Sequence, residues 1–290
     1  MQLGMVGLGR MGGNMSERLR DAGHEVVGYD RNPEISQAPS LAELVDKLSA
    51  PRAVWVMVPA EVTEATVEEL AGVLQPGDIL IDGGNSRFSD DPPRARRLGE
   101  RGIGYLDVGV SGGVWGREAG YALMVGGEAE HVDRLRPIFD ALKPAGEFGF
   151  VHAGPVGAGH YAKMVHNGIE YGLMHAYAEG YELLAASEYV TDTAGVIRSW
   201  REGSVVKSWL LDLLDHALTE NPDLAGIRGY ADDTGEGRWT VDEAIRLAVP
   251  MNVIAAALFA RFASRQNDSP AMKAVAALRS QFGGHAVKRS

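Results

Sequence analysis

Apolar residues in the first half of the chain form short runs that alternate with longer amphipathic segments. The runs have the length of strands, and the segments between them follow a helical period. Strands are predicted at 3–6, 25–29, 53–58, 78–82, 103–108 and 121–125, and helices at 14–22, 62–74, 87–101 and 129–142. Strands that alternate with helices form a parallel sheet covered on both faces, and ligands bind at the carboxyl ends of its strands.

From residue 157 onward, helical periodicity replaces the strand pattern. Helices are predicted at 157–186, 191–201, 205–219, 240–265 and 268–280. The connection at 221–238 is long and rich in Gly, Pro and Asp, so we expect it to carry function or to be ordered by a partner. We therefore expect an α/β domain at 1–156, with a doubly wound parallel sheet, followed by an all-α domain at 157–290.

A glycine motif follows the first predicted strand directly. Gly7-Leu8-Gly9-Arg10-Met11-Gly12 matches G-x-G-x-x-G and stands between a strand and a helix, in a unit of about thirty residues. Such a loop binds a pyrophosphate on the amides at the helix N-terminus, which predicts a Rossmann dinucleotide-binding domain. Asp30 ends the second strand, where a carboxylate can bind the adenosine ribose and favours NAD over NADP. Arg31 follows it and could bind a 2′-phosphate instead.

Lys163, Asn167 and Glu170 fall at i, i+4 and i+7 of the first long helix of the second half. Seven residues are nearly two turns, so the three side chains share one face. They could act as base, orienting group and acid, or they could form an ordinary solvated charged face. Their position just after a dinucleotide-binding half favours the first interpretation, with Lys163 facing a cleft.

Two glycine-rich segments follow later strands of the first half. Gly83-Gly-Asn85-Ser86 and Val110-Ser111-Gly112-Gly113 could bring backbone amides and small polar side chains to a substrate. They could equally be loop punctuation.

The composition narrows the chemistry. The 290 residues include no cysteine, which excludes disulfides, thiol catalysis and zinc–thiolate sites and fits a reducing compartment. We see no signal-peptide pattern at the first residues, and the most apolar helical stretch contains Pro250. A net charge of −11 argues against non-specific nucleic-acid binding. Because salt screens distant charges, an anion site in this acidic chain must be built from cations close to the anion. We expect a cytoplasmic protein with neither nucleic acid nor a membrane as its partner.

These motifs together resemble those of the decarboxylating 6-phosphogluconate dehydrogenases, within the β-hydroxyacid dehydrogenase superfamily. The resemblance covers essentially the whole chain and is most specific around Lys163. The helical half is shorter than in the large members, which resembles the short, commonly NAD-preferring bacterial form. The matching segments are Gly7-Leu-Gly9-Arg-Met-Gly12, Ile81-Asp-Gly-Gly-Asn85-Ser86, Val110-Ser111-Gly-Gly113, Gly159-His-Tyr-Ala-Lys163-Met-Val-His166-Asn167-Gly-Ile-Glu170-Tyr171 and Arg279-Ser-Gln-Phe-Gly-Gly-His285.

The resemblance implies oxidative decarboxylation of 6-phospho-D-gluconate to D-ribulose 5-phosphate, in the pentose phosphate pathway or gluconate utilisation. Lys163 would act as the general base and Glu170 as the acid. The residues expected to bind the cofactor are Gly7, Leu8, Gly9, Arg10, Met11, Gly12, Asp30, Arg31, Val58 and Asn85. Those expected to bind the substrate are Asn85, Ser111, Gly112, Gly113, His166, Asn167, Tyr171, Arg261, Arg279 and His285.

The resemblance also implies NAD as cofactor, with NADP as the alternative, and no metal. A homodimer or a dimer of dimers is expected, because the family's C-terminal tail, here carrying His285, reaches a neighbouring subunit. The second half would then bind substrate and form the dimer.

One loop departs from the family pattern. The family's K-G-T-G-K-W phosphate segment reads here Thr234-Gly235-Glu236-Gly237-Arg238-Trp239, so Glu236 replaces a threonine expected to face the phosphate. This leaves room for another sugar acid as substrate. Two other functions remain open: a β-hydroxyacid dehydrogenase that does not decarboxylate, and a dinucleotide-sensing regulatory protein without turnover.

Overall fold

The structure is a computed structural model that describes residues 1–283 and 286–288. By its internal contacts the chain divides into two compact units, Met1–His166 and Asn167–Ser290. The first unit holds a β-sheet flanked by helices, and the second is helical.

The sheet of the first unit follows the predicted α/β pattern through its first five strands. The strands are β1 (Gln2–Val6), β2 (Glu25–Tyr29), β3 (Ala53–Val56), β4 (Ile79–Asp82), β5 (Gly104–Ser111), β6 (Ala122–Gly127) and β7 (Phe150–Gly154). They lie in the order β2-β1-β3-β4-β5-β6-β7. Strands β1 to β5 pair in parallel, which confirms the Rossmann-type arrangement of this half.

Strand β6 departs from the all-parallel prediction, because it runs antiparallel to β5. The segment between them, residues 112–121, holds a 3-10 turn and the short helix α5 (Gly116–Ala119). A parallel connection needs a crossover of about a dozen residues or more, usually through a full helix. The segment is too short for that, so the chain turns back beside β5. Strand β7, which was not predicted, then pairs in parallel with β6.

Helices cover both faces of the sheet and create a core on each. They are α1 (Arg10–Asp21), α2 (Leu41–Asp46), α3 (Ala60–Val73), α4 (Asp91–Gly99) and α6 (Ala129–Leu142). Side chains alternate across β3: Trp55 packs into the core that contains Phe139, whereas Val54 and Val56 pack into the core that contains Leu70. Helix α2 was missed because six residues give too short a helical period to recognise.

Arg18 of α1 holds the ends of two other helices. Its guanidinium donates to the carbonyls of residues 141–143 at the end of α6, at 2.8 to 3.1 Å. It also donates to the carbonyls of residues 117 and 118 in α5, at 2.9 and 3.2 Å. The last carbonyls of a helix lack intrahelical partners and carry partial negative charge, so a cation satisfies both needs. Arg18 thereby fixes the segment 112–121 against the helix that follows the glycine loop.

Helix α7 (Ala158–Ala185) begins against the sheet, where a strand supplies its cap. Asp107 of β5 is fully buried. Its carboxylate accepts the backbone N–H of Gly157 at 2.7 Å and that of His160 at 2.9 Å. Amides at the start of a helix have no intrahelical acceptor, so Asp107 does from a neighbouring strand what an N-cap side chain usually does.

His160 adds a buried ion pair to the same anchor. Its Nδ1 donates to Asp91 at 2.8 Å, and Asp91 also accepts from the hydroxyl of Tyr105 at 2.8 Å. Burial lowers the pKa of His160, but the charges of Asp91, Asp82 and Asp107 outweigh burial and raise it to about 9. Burial raises the pKa of Asp91 to about 6, against the opposing effect of His160.

The second unit continues α7 and adds shorter helices. These are α8 (Thr193–Ser199), α9 (Trp209–Glu220), α10 (Glu236–Leu247), α11 (Asn252–Ser264) and α12 (Pro270–Gly283). The prediction of one helix at 240–265 is wrong. The chain leaves α10 at Ala248, in the left-handed region with φ of 55°, and Pro250 disfavours a helical conformation at Val249 before it. Among the described residues, no helix has both the length and the apolar character of a membrane span.

The substitution His160→Gln should flatten the pH dependence of stability at alkaline pH. The pKa of His160 is about 9 in the fold against an ordinary 6.5, so the stability contributed by its charge is present near pH 6.5 and is lost as the pH rises through about 9. Glutamine keeps a donor toward Asp91 but carries no charge. We expect the thermal midpoint of the unmodified protein to fall by roughly 3 °C more than that of the variant between about pH 7 and about pH 10. Circular dichroism melts measure both, and equal falls would contradict the ion pair.

Candidate active site

Close backbone contacts require glycine at two of the three motif positions in the loop between β1 and α1. Gly7 has φ of +92°, and a Cβ there would lie 2.5 Å from the carbonyl oxygen of Met57. A Cβ on Gly12 would lie 2.0 Å from the carbonyl oxygen of Gly7. A Cβ on Gly9 would meet nothing within 4 Å, so packing within the protein does not require glycine there. Gly9 is the N-cap of α1, and amides at the N-terminus of a helix are suited to a pyrophosphate.

Asp30 lies beside this loop at the end of β2. Its carboxylate accepts the backbone N–H of Leu8 at 2.7 Å, which ties the glycine loop to the second strand. It also accepts the N–H of Asn32 at 2.9 Å, while Arg31 between them is exposed. The carboxylate is therefore held near the loop, and a ribose with two hydroxyls suits it better than a 2′-phosphate.

The other expected cofactor residues lie around the same strand ends. Met11 is partly buried against one core of the sheet and Val58 against the other, whereas Arg10 and Asn85 are exposed. The turn before Asn85 is fixed by Asp82, which accepts the N–H of Gly84 at 3.0 Å and the hydroxyl of Ser86 at 2.7 Å. Asn85 is thus presented at the carboxyl end of β4.

Alternate residues of β5 face the first turns of α7. Beyond Asp107, a Cβ on Gly109 would lie 2.4 Å from the Cβ of Lys163, so glycine lets strand and helix touch there. Ser111 comes next on the same face, and its Oγ lies 3.2 Å from Nε2 of His166, within hydrogen-bond distance. Because side chains on one face of a strand repeat every two residues, Gly109 faces Lys163 and Ser111 faces His166.

The loop after Ser111 also has an open glycine. Gly112 has φ of +148°, and a Cβ there would lie 2.9 Å from the ring of Tyr121. Gly113 has φ of +53°, and a Cβ there would meet nothing within 4 Å. Asn14 of α1 donates to the carbonyl of Val114 at 3.2 Å and so joins this loop to the helix of the glycine motif.

The polar stripe of α7 is present as predicted from its spacing. Lys163, Asn167 and Glu170 all lie within Ala158–Ala185, and each is partly buried. None of the three is without an interaction partner. A solvated face with fully exposed charges does not describe them.

A polar cluster in the second unit joins residues of α7, α10 and α11. Asn167 donates to Glu236 at 3.2 Å, and the guanidinium of Arg261 lies 3.5 Å from the centre of the Tyr171 ring. The hydroxyl of Tyr171 is buried and has no hydrogen-bond partner among the described residues. Burial raises the pKa of Tyr171, an effect that Arg261 opposes. The hydroxyl and the guanidinium are donors suited to a ligand oxygen.

Two expected substrate residues lie near the C-terminus. Arg279 is an exposed residue of α12. His285 lies outside the described residues, so its expected role stays a prediction.

Asp82, Asp91 and His160 place candidate ligand atoms within 4.8 Å of one another. Two of them already face a cation, because Arg94 donates to Asp82 at 3.1 Å and lies 3.9 Å from Asp91. Arg94 also donates to Glu64 at 2.7 Å. Burial disfavours the charge of Arg94, but the hydrogen bond to Glu64 and the nearby acids keep its pKa above the ordinary value. The cluster is an internal ion network, and a metal ion in it would face that guanidinium.

Sequence reasoning missed the residues that anchor α7. Asp107 lies inside an apolar strand run, and Asp91 stands before two prolines at the start of α4, a normal place for a helix-starting acid. His160 belongs to the most specific motif, but its partner Asp91 is 69 residues away. A charged residue within an otherwise apolar strand, as at Asp107, was the available signal.

Two family models together match nearly the whole chain. The NAD-binding domain of 6-phosphogluconate dehydrogenase matches residues 2–147. The C-terminal domain of 6-phosphogluconate dehydrogenase matches residues 159–289.

Individual relatives agree with the family models. A Haloferax volcanii protein named NAD(+)-dependent, decarboxylating 6-phosphogluconate dehydrogenase is 43% identical over 300 residues, which cover 100% of this chain and 99% of that protein. The decarboxylating enzyme of Staphylococcus aureus strain N315 is 36% identical over 91% of this chain, which spans 61% of that longer protein. A solved Plasmodium falciparum 6-phosphogluconate dehydrogenase, described as apo, with NADP+ and with 6-phosphogluconate, has a TM-score of 0.84 at 28% identity, covering 100% of this chain and 66% of that chain. The chain belongs to the 6-phosphogluconate dehydrogenase family.

Proposed function

We propose that this chain oxidises 6-phospho-D-gluconate with NAD and decarboxylates the product to D-ribulose 5-phosphate and CO₂. The observation that carries this is the placement of Lys163 against β5, in the unit that also holds the dinucleotide loop. The match of residues 159–289 to the family's C-terminal domain favours decarboxylation over simple oxidation of another β-hydroxy acid. It also favours an enzyme over a dinucleotide-sensing protein.

NAD is the cofactor that the first unit fits. The open space at Gly9 accommodates the pyrophosphate, and the Asp30 carboxylate, held by the Leu8 amide, accepts hydrogen bonds from the ribose. A 2′-phosphate would meet that negative charge, so NADP is the weaker cofactor. The NAD(+)-dependent relative at 43% identity has the same preference in its name.

Lys163 is the proposed base. It removes the proton of the 3-hydroxyl as the hydride on carbon 3 leaves, and bound NAD supplies the hydride acceptor. The resulting 3-keto acid loses carbon 1 as CO₂, because the electrons of the broken carbon–carbon bond move toward the ketone oxygen. The protonated Lys163 stabilises the negative charge that develops on that oxygen.

Glu170 is the proposed acid of the last step. It donates a proton to the former carbon 2 of the gluconate, which is carbon 1 of the enediol, and this yields the ketone of ribulose 5-phosphate. Protonation of a carbon is needed because decarboxylation leaves carbon 2 with an electron pair and no second hydrogen. An enzyme that merely oxidised a hydroxy acid would not need this group.

The remaining polar residues are proposed to hold the substrate. Ser111 and His166 bind sugar hydroxyls or the carboxylate in the first unit, together with the amides of the glycine loop after β5. In the second unit the buried hydroxyl of Tyr171 and the guanidinium of Arg261 donate to the phosphate. Arg279 joins them as a further cation for that dianion.

We also propose that the protein acts as a homo-oligomer, because the second unit exposes many large apolar side chains. Leu183 of α7 is 75% exposed, Val253 and Phe259 of α11 are 68% and 58% exposed, and Leu278 of α12 is 63% exposed. Exposed apolar residues in this number on three helices are typical of surfaces that a second subunit covers.

The direct test of the reaction is its stoichiometry. With 6-phosphogluconate and NAD we expect one CO₂ per NADH, and a several-fold lower rate with NADP or with gluconate. Absorbance of NADH and trapped CO₂, measured in one reaction, give the ratio. NADH without CO₂ would indicate simple oxidation, and cofactor binding without NADH would indicate a sensor.

Lys163→Met should greatly slow the oxidation step while leaving the cofactor site intact. General-base catalysis is worth about 10²–10⁴-fold, so kcat should fall by at least about a hundredfold. The matched control is Lys207→Met, because Lys207 is an exposed lysine paired with Glu202. NAD binding, measured by calorimetry, should be unchanged in both variants. Oxidation by Lys163→Met at a near-normal rate would exclude Lys163 as the base.

A further inference from the structure

Glu236 is a buried acid at the start of a helix. It is 3% exposed and is the first residue of α10, next to the N-cap Gly235. A buried carboxylate is costly unless hydrogen-bond donors surround it, and the N-terminus of a helix favours negative charge. The Glu236 carboxylate is therefore stable at this position only when hydrogen-bond donors contact it.

Two side chains donate to this carboxylate. Asn167 Nδ2 donates to Oε1 at 3.2 Å, and the hydroxyl of Thr234 donates to Oε2 at 2.6 Å. A carboxylate accepts hydrogen bonds and cannot donate them, so both partners must turn a donor toward Glu236. For Asn167 this fixes the orientation of the amide, because its nitrogen and oxygen lie on opposite sides of the group.

We propose that Glu236 is a positioning residue that turns the nitrogen of Asn167 toward itself, so that Asn167 meets the substrate through its carbonyl oxygen. That oxygen can accept a hydrogen bond from a sugar hydroxyl and repels a carboxylate or a phosphate. The assignment rests on the proposed function, in which Asn167 contacts the sugar acid. It specifies which kind of substrate group Asn167 reads.

The charge of Glu236 supports the same choice. A substrate carboxylate or phosphate next to Asn167 would lie close to the Glu236 carboxylate, and like charges in a partly buried site repel. A hydroxyl carries no charge and can donate to the Asn167 oxygen. The anionic groups of the substrate are then left to cations, such as Arg261 of the same unit.

The test swaps the amide and the carboxylate between positions 167 and 236. In Asn167→Asp a second carboxylate faces Glu236, and we expect the KM for 6-phosphogluconate to rise at least about tenfold. When Glu236→Gln is added, the glutamine nitrogen donates to the new aspartate and its oxygen accepts from Thr234. The second aspartate oxygen again accepts from the hydroxyl, so the double variant should recover to within about threefold of Glu236→Gln alone.

Four proteins are compared: the unmodified chain, the two single variants and the double variant. For each, kcat, the KM for 6-phosphogluconate and the KM for NAD are measured, and the KM for NAD should stay constant. A double variant no better than Asn167→Asp would overturn the proposal, because it would show that Asn167 donates its N–H to the substrate.

Thermal unfolding of the same four proteins reports the pairing without substrate. We expect the midpoint of the double variant to exceed the value obtained by adding the two single effects, and additive midpoints would overturn the pairing. Failure of the proposed function is a separate result, since it would appear as an unmodified protein that makes no NADH from 6-phosphogluconate while the coupling of midpoints persists.

Discussion

The carboxylate of Asp107 holds the first turn of α7 against the sheet, and the position of the proposed base follows from that contact. Two backbone N–H groups of the helix donate to it, at 2.7 and 2.9 Å. Two residues further along β5, Gly109 lets the helix approach until strand backbone and Lys163 side chain touch. Two residues further again, Ser111 reaches His166. Residues on one face of a strand repeat every two positions, so Asp107, Gly109 and Ser111 contact the helix at three successive points. These contacts fix the position of α7 along β5.

Such an anchor requires buried charge, and the surrounding residues compensate for it. Asp107 is served by helix amides, Asp91 by His160 and Tyr105, and Asp82 by Arg94 and Ser86. Buried charges without partners would destabilise the fold by several kcal/mol each, so these groups depend on one another. Through Asp107 and His160 the network touches the start of the helix that carries Lys163. Its role is to hold the backbone in place.

The sequence predicted features whose cause is local. These features depend only on residues close together in the sequence, and the structure contains them. They are the glycine motif, the alternation of strands and helices, and the helical spacing of Lys163, Asn167 and Glu170. The antiparallel β6 could have been inferred from the short segment 112–121, but the strand pattern itself carries no direction. The break between α10 and α11 depends on the left-handed Ala248, a residue without a strong turn signal, although Pro250 beside it was visible.

Contacts between distant residues were beyond sequence reasoning. Asp107 and Gly157 are 50 positions apart, and Asn167 and Glu236 are 69 apart, so no periodicity connects them. Glu236 was noticed as a departure at a place expected to face a phosphate. In the structure Asn167 and Thr234 both donate to the Glu236 carboxylate. We therefore interpret Glu236 as a group that orients the Asn167 amide, and no longer as a lost phosphate contact.

The most direct test of this account is amide hydrogen exchange at the start of α7 in Asp107→Asn, measured together with kcat. Asparagine has the size of aspartate but would turn its NH₂ toward one of the two backbone N–H groups. We expect at least about tenfold faster exchange at the amides of Gly157 and His160, a lower kcat and an unchanged KM for NAD. Unchanged exchange together with an unchanged kcat would contradict the claim that the cap from β5 positions Lys163.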